Sequence, residues 1–226
     1  METESTDRTS PPAGLRVVVV TGAPGVGKTR LAHQLVARYA VPAAAIDCDP
    51  VVYPWQSTES LYALMADTLR ASIPVYRDWG SRVIVISGVV LAGRALEPLR
   101  AVFEELGADW VCYGLRATPD ALAARIRRDA GSEHYVEGRL AESFLDAEVP
   151  GVPGVREIDT SALSATEVAD AVVAAERGQL GPGWVLPDGA TARAEAPAPG
   201  GAATPGATVP APSGAAEDAG RAAGPG

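Results

Sequence analysis

The stretch that decides the fold is Gly22-Ala23-Pro24-Gly25-Val26-Gly27-Lys28-Thr29, which follows the apolar run Leu15–Val20 and precedes a helical pattern. It has the form Gly-x-x-x-x-Gly-Lys-Thr in a strand-to-helix context, a spacing with a specific physical use. The glycines let the backbone curl so that successive N–H groups converge, and the helix start adds the positive end of its dipole. Such a loop cradles phosphate. A lysine at this spot places a mobile charge on the outer phosphates, and the threonine hydroxyl takes a Mg²⁺ position. Of the 19 basic residues, 18 are arginine and Lys28 is the single lysine, so no other lysine can stand in for it. The expected nucleotide contacts are Gly22, Ala23, Pro24, Gly25, Val26, Gly27, Lys28 and Thr29, with Arg30 following on the helix.

Outward from this loop, strand and helix patterns alternate. Leu15–Val20 is apolar on both faces after Arg16, as a central parallel strand should be. Lys28–Tyr39 reads as a helix with Leu31, Leu35 and Tyr39 on one stripe, and Ala43–Asp47 as a second strand. Leu61, Leu64, Met65 and Leu69 mark another helix face, followed by a strand at Val83–Ile86. A helix over Ala95–Leu106 carries Leu96, Leu99 and Phe103 on one side, and Trp110–Leu115 is a fourth strand. Thr118-Pro119 reads as N-cap and first turn of a helix reaching Arg128. After a fifth strand, Arg156–Asp159, Ser164 and Glu167 form a capping box for a last helix with Val168 and Val172 inward. Five such alternations predict an α/β domain over residues 14–181, a parallel sheet with helices on both faces.

Composition narrows the function classes. Apolar residues are 47% of the 226, a share that 42 alanines inflate, yet enough for a sizeable core. The net charge of −9 argues against a nucleic-acid backbone or an anionic membrane surface as partner. No apolar run approaches the roughly 20 residues of a transmembrane helix. The polar leader, residues 1–13, has no hydrophobic signal core and is expected to be disordered, so a cytoplasmic location is predicted. Cys48 and Cys112 form no CxxC pair. In residues 182–226, 31 of 45 are Ala, Gly or Pro, too little apolar surface to offset ordering entropy, and this tail is expected to be unfolded. Trp184-Val185-Leu186 is the part placed to dock back before it begins.

The remaining chemistry lies at strand ends. Asp47 and Asp49 are spaced i, i+2 at the end of the second strand and point the same way, able to share a Mg²⁺ shell and a substrate hydroxyl. Cys48 between them points into the core. The third strand ends Ile86-Ser87-Gly88, with no acid where many ATPases carry one, which disfavours motor-type ATPases. Ser87 is either a turn serine or a holder of metal-bound water. Arg125 and Arg128 are i, i+3 neighbours able to reach one anion, and the polar stretch Asp129–Val136 with Arg139 beyond it has the make-up of a lid. Helix-end cations are the plainer account of the arginines. His33 and His134 have no ligand spacing. The guanine-reading Asn-Lys-x-Asp motif is impossible with Lys28 as the sole lysine, so a translational-type GTPase is disfavoured.

From Leu15 to Arg177 the chain resembles the small P-loop kinases of the shikimate-, gluconate- and adenylate-kinase type. The resemblance rests on residues 22–29, Ile46-Asp47-Cys48-Asp49, Ser87-Gly88, the stretch 115–129 and the stretch 158–169. It implies a three-layer P-loop NTPase fold, a five-stranded sheet ordered 2-3-1-4-5, and phosphoryl transfer from ATP with Mg²⁺ to a small acceptor. It implies Mg²⁺ support by Asp47 with Thr29, acceptor contact by Asp49, and an adenine-cradling loop that begins at Thr160. No shikimate-type glycine triplet follows the third strand. The expected activity is therefore a kinase for a small hydroxylated metabolite or antibiotic, with Lys28, Asp49, Arg125 and Arg128 as catalytic residues. A nucleoside monophosphate kinase and a nucleotide-binding regulatory protein with little turnover are the rival readings.

Overall fold

Val17, Val18, Val19 and Val20 are all fully buried. Side chains alternate along a strand, so four in a row require a sheet covered on both faces. The computed structural model, which describes residues 14–49, 61–89, 96–129, 152–180, 183–187 and 190, shows that arrangement. The strands are β1 (Arg16–Gly22), β2 (Ala43–Asp47), β3 (Val83–Val89), β4 (Asp109–Arg116) and β5 (Val155–Asp159). Between and after them lie helices α1 (Lys28–Val36), α2 (Leu61–Asp78), α3 (Leu96–Glu105), α4 (Pro119–Asp129) and α5 (Ala165–Leu180). The sheet is ordered β2-β3-β1-β4-β5 and every pair is parallel. Val18 and Val20 pack with Leu31 and Leu35 of α1 and Val168 and Val172 of α5. Val17 and Val19 face Leu69 and Ile73 of α2 and Leu99 and Phe103 of α3. Each such side chain contributes roughly 1.5–3 kcal/mol before conformational entropy is charged against it.

Helix starts follow the chemistry read from the sequence. Thr118 Oγ1 accepts from the Ala121 N–H at 3.3 Å, and Pro119 occupies the first helical position. In the box opening α5, the Ser164 N–H donates to Glu167 Oε2 at 2.7 Å and the Glu167 N–H donates back to Ser164 Oγ at 3.2 Å.

Two expectations need correction. Helix α1 ends at Val36 rather than at Tyr39, because Tyr39 forms an antiparallel bridge with Val185. There the Ala40 N–H donates to the Trp184 carbonyl and the Leu186 N–H to that of Arg38, both at 2.9 Å, which needs extended backbone. Leu64 is 40% exposed, since the inward stripe of α2 runs through Met65, Ala66, Leu69 and Ile73 and leaves Leu64 off its edge. Arg16, the polar exception in the first strand, is 2% exposed and belongs to the interior. Its Nε and Nη2 donate to the two carboxylate oxygens of Glu176, each at 2.9 Å. The Tyr113 hydroxyl also donates to Glu176, at 2.8 Å, and Arg16 Nη1 reaches Asp109 at 2.7 Å.

The leader 1–13, the stretch 130–151 with His134 and Arg139, and residues 191–226 lie outside the described residues. Trp184 and Val185, ahead of the last of these, are buried against the α1/α5 layer.

Candidate functional site

Strand order places the site. From β1 the chain crosses to β2 on one side, while β4 and β5 lie on the other, so a crevice opens at the carboxyl ends of the strands beside β1. A cleft of about 720 Å³ lies there, lined by the loop Pro24–Thr29, by Asp49 beyond β2, by Arg125 and Arg128 of α4, and by Thr160 beyond β5.

The loop owes its shape to two glycines with no room for a side chain. Gly22 has φ 138°, and a Cβ there would sit 2.2 Å from the Leu115 carbonyl oxygen of β4. Gly25, at φ 79°, lies so close to Ile126 of α4 that a Cβ would meet it at 2.6 Å. Gly27 precedes α1 in the left-handed region, at φ 104°, and no side chain caps the helix. The first N–H groups of α1 thus open on the cleft without a side-chain acceptor at the cap. Lys28 is buried, and its Nζ donates to the carbonyls of Gly22 at 2.9 Å and Ala23 at 3.3 Å. Ala23 and Val26 are buried beneath the loop, and the Val26 N–H donates to the Ala23 carbonyl at 3.3 Å. Arg30 is exposed at the cleft wall.

At the second residue of α1, the Thr29 hydroxyl donates to Asp47 Oδ2 at 2.9 Å. The other Asp47 oxygen accepts the Asp49 backbone N–H at 3.0 Å. The structure therefore joins the start of α1 to both acids read from the strand end. Cys48, between them, is buried, and burial with the two flanking carboxylates pushes its thiol up to about 12. Its N–H donates to the Ser87 carbonyl at 2.8 Å, and Ser87 itself is buried.

The arginines divide. Arg125 donates through Nη1 to Thr160 Oγ1 at 3.0 Å and to the Val26 carbonyl at 3.4 Å, and through Nη2 to the Thr160 carbonyl. Burial, then the nearby Arg128 charge, pulls its pKa down, against Asp159. Thr160 is itself buried, its hydroxyl donating to the Arg116 carbonyl at 3.0 Å. Arg125 thus clasps the glycine loop at Val26 to the loop after β5. Arg128 stands at the rim, its side chain 64% exposed, with Nε 3.3 Å from Asp129. His33 also lines the cleft, although its spacing alone pointed to no ligand. The lid reading for Asp129–Val136 and Arg139 falls almost wholly outside the described residues.

A glycine loop from the middle strand of a parallel 2-3-1-4-5 sheet into a helix, with an acid pair at the end of the strand two places away, is a P-loop α/β fold. No protein-family model and no curated protein matches this chain. Solved structures resemble it. The tunicamycin resistance protein of Deinococcus radiodurans superposes with a TM-score of 0.50 at 22% identity, over 76% of this chain and 99% of that one. A gluconokinase from Sinorhizobium meliloti 1021 gives 0.53 at 17%, over 76% and 97%. The Mycobacterium tuberculosis APS kinase, in complex with AMPPNP and APS, gives 0.51 at 20%, over 72% and 98%. Likeness at these identities establishes the fold.

Proposed function

We propose that the protein is an ATP-dependent kinase that transfers the γ-phosphoryl group to a small hydroxylated acceptor. The observation that carries this reading is the Thr29–Asp47 hydrogen bond beside the cleft-lining Asp49. It sets a hydroxyl and a carboxylate, both hard oxygen donors, where the helix start meets the strand end. Such a pair suits Mg²⁺, which takes one or two carboxylates and completes its shell with phosphate and water. Among the described residues, no three His, Cys, Asp or Glu side chains gather as a metal site of their own. When bound, Mg²⁺ neutralises charge on the outer phosphates.

The chain's own residues do the rest. The loop N–H groups bind and orient the phosphates, and Lys28 exchanges its loop carbonyls for phosphate oxygens. Asp49 orients the acceptor hydroxyl and takes its proton late in transfer. Arg128 at the rim offsets the charge developing on the transferred group, while Arg125 holds the loop and Thr160 in register. The fold neighbours support the class of reaction, since a gluconokinase and an APS kinase holding AMPPNP and APS share it.

A screen of ATP consumption over hydroxylated acceptors and nucleoside monophosphates finds the acceptor. With it in hand, Asp49→Asn is expected to lower turnover by roughly 10²–10⁴ with nucleotide affinity little changed, the usual worth of a positioned base. Asp47→Asn is expected to weaken Mg²⁺-dependent nucleotide binding as well. Unchanged slow turnover in Asp49→Asn would mark a nucleotide-binding regulator instead.

A further inference from the structure

The ladder between β1 and β3 breaks its register once. Val19 pairs with Ile86, but Thr21 pairs with Val89, so β3 carries one more residue than β1 across this step. Ser87 and Gly88 make up that bulge, and Gly88 takes φ 87°, in the left-handed region. Bulges with a left-handed glycine re-aim strands beside functional sites. This one lies against the end of β2, where Ser87 pairs with Asp47.

The space at Gly88 is what singles it out. A Cβ built there would stand 2.5 Å from Asp47 Oδ1, 2.6 Å from the Asp49 backbone nitrogen and 2.8 Å from Asp49 Oδ1. All three distances are shorter than any carbon can hold without displacing its neighbours. Two of the three atoms, Asp47 Oδ1 and the Asp49 nitrogen, are the partners of the hydrogen bond that ties the acids together. Most other left-handed glycines have no such neighbour. Gly80, at φ 99° past the end of α2, has nothing within 4 Å.

We infer that Gly88 is a positioning residue of the acid pair: the bulge in β3 presents a hydrogen where any side chain would split Asp47 from Asp49. A methyl group at 88 pushes the Asp47 carboxylate off the Asp49 N–H and out of line with Thr29, and it turns the Asp49 carboxylate away from its place. The role in metal and acceptor handling rests on the kinase reading above, whereas the steric role stands without it.

Two measurements test this. The first is thermal stability of Gly88→Ala beside Gly80→Ala, which reads the cost of an alanine in left-handed backbone without the clash. Gly80→Ala is expected to lower Tm by roughly 2–8 °C. Gly88→Ala is expected to lower it further, and at least half of that excess is expected to vanish in an Asp47→Ala/Asp49→Ala background. A Gly88→Ala protein that folds only in that background supports the inference equally. An excess that is absent, an excess unchanged by removing the carboxylates, or failure to fold in both backgrounds overturns it. The second measurement is binding of a fluorescent ATP analogue with Mg²⁺ and with EDTA. Gly88→Ala is expected to keep its EDTA affinity within about threefold of wild type and to lose about tenfold of the gain that Mg²⁺ confers, the share of one displaced carboxylate ligand. A full Mg²⁺ gain in the variant overturns the positioning role. If wild type shows no Mg²⁺ gain, the kinase reading fails, and the stability comparison alone decides on Gly88.

Discussion

The two ends of the central strand hold charge in opposite ways. At its start, Arg16 meets Glu176 through two parallel hydrogen bonds, joined by Tyr113, Asp109 and Gln179, and the Glu176 carboxylate is wholly buried. There, opposite charges pair with each other in the interior. Burial works to lower the Arg16 pKa, but Glu176 and Asp109 together raise it, so the guanidinium stays charged at any ordinary pH. Past its other end, three charged side chains of the cleft meet neutral groups, while the Arg128–Asp129 pair stands exposed at the rim. Lys28 meets loop carbonyls, Arg125 meets Val26 and Thr160, and Asp47 meets the Thr29 hydroxyl. The Arg16–Glu176 contact joins two full charges in the low-dielectric interior, whereas each contact of the second set joins one charge to a dipole at the wall of an open cleft. The first set is hard to replace. On the kinase reading proposed above, the second would yield to a phosphate or a divalent cation, which would make one end a foundation and the other a site.

Breaking the closed end should cost most. Glu176→Leu leaves the Arg16 guanidinium buried without its main partner, and a loss of about 3–5 kcal/mol in unfolding free energy is expected. Nucleotide affinity in the protein that remains folded should be unchanged. Replacing both partners, Arg16→Met with Glu176→Leu, should recover most of that loss, because the desolvation penalty leaves with the charges. Chemical denaturation of the two variants measures this, and a double variant as unstable as the single one would remove the distinction between the ends.

At the open end the effect moves from stability to binding. Lys28→Ala should weaken ATP binding by at least about tenfold, or roughly 1.4 kcal/mol. It should leave unfolding free energy within about 1 kcal/mol, since a carbonyl at the cleft finds water in place of the ammonium. Equilibrium titration with nucleotide and a denaturant curve check both halves. Wild-type nucleotide affinity would break the phosphate-loop reading.

The smallest effect is expected between the two ends. Cys112 in β4 is buried, and burial alone lifts its thiol from an ordinary value of 9.0 to about 12. The unfolded chain therefore ionises first. This contribution to stability is fully present below pH 9 and is lost as pH rises towards 12, amounting to about 1.4 kcal/mol between pH 8 and 10. Denaturant midpoints across that range should fall less steeply in Cys112→Ala than in wild type. Equal slopes would mean the thiol is not sealed in the sheet.

What the sequence determined by itself was whatever depends on neighbours along the chain. The valine run of β1, the loop from Gly22 to Thr29, the Thr118 cap and the Ser164–Glu167 box act over a few residues, and each was legible as a pattern of backbone freedom, capping oxygens or apolar spacing. The end of α1 was not, because the chain at Tyr39 is extended to meet Val185, 146 positions on. Arg16 read as an interruption in an apolar strand, since its partner Glu176 is 160 residues away. Arg125 read as an anion-seeking cation, and only the approach of Thr160 and Val26 showed it holding two loops together. Gly88 looked like the end of a strand that lacked an acid. Its use became visible once β2 lay beside β3 and two carboxylates filled the volume a side chain would take. Local signals survive without the fold because chain connectivity enforces them, whereas pairing, burial and steric clearance between distant residues exist only after the sheet has assembled.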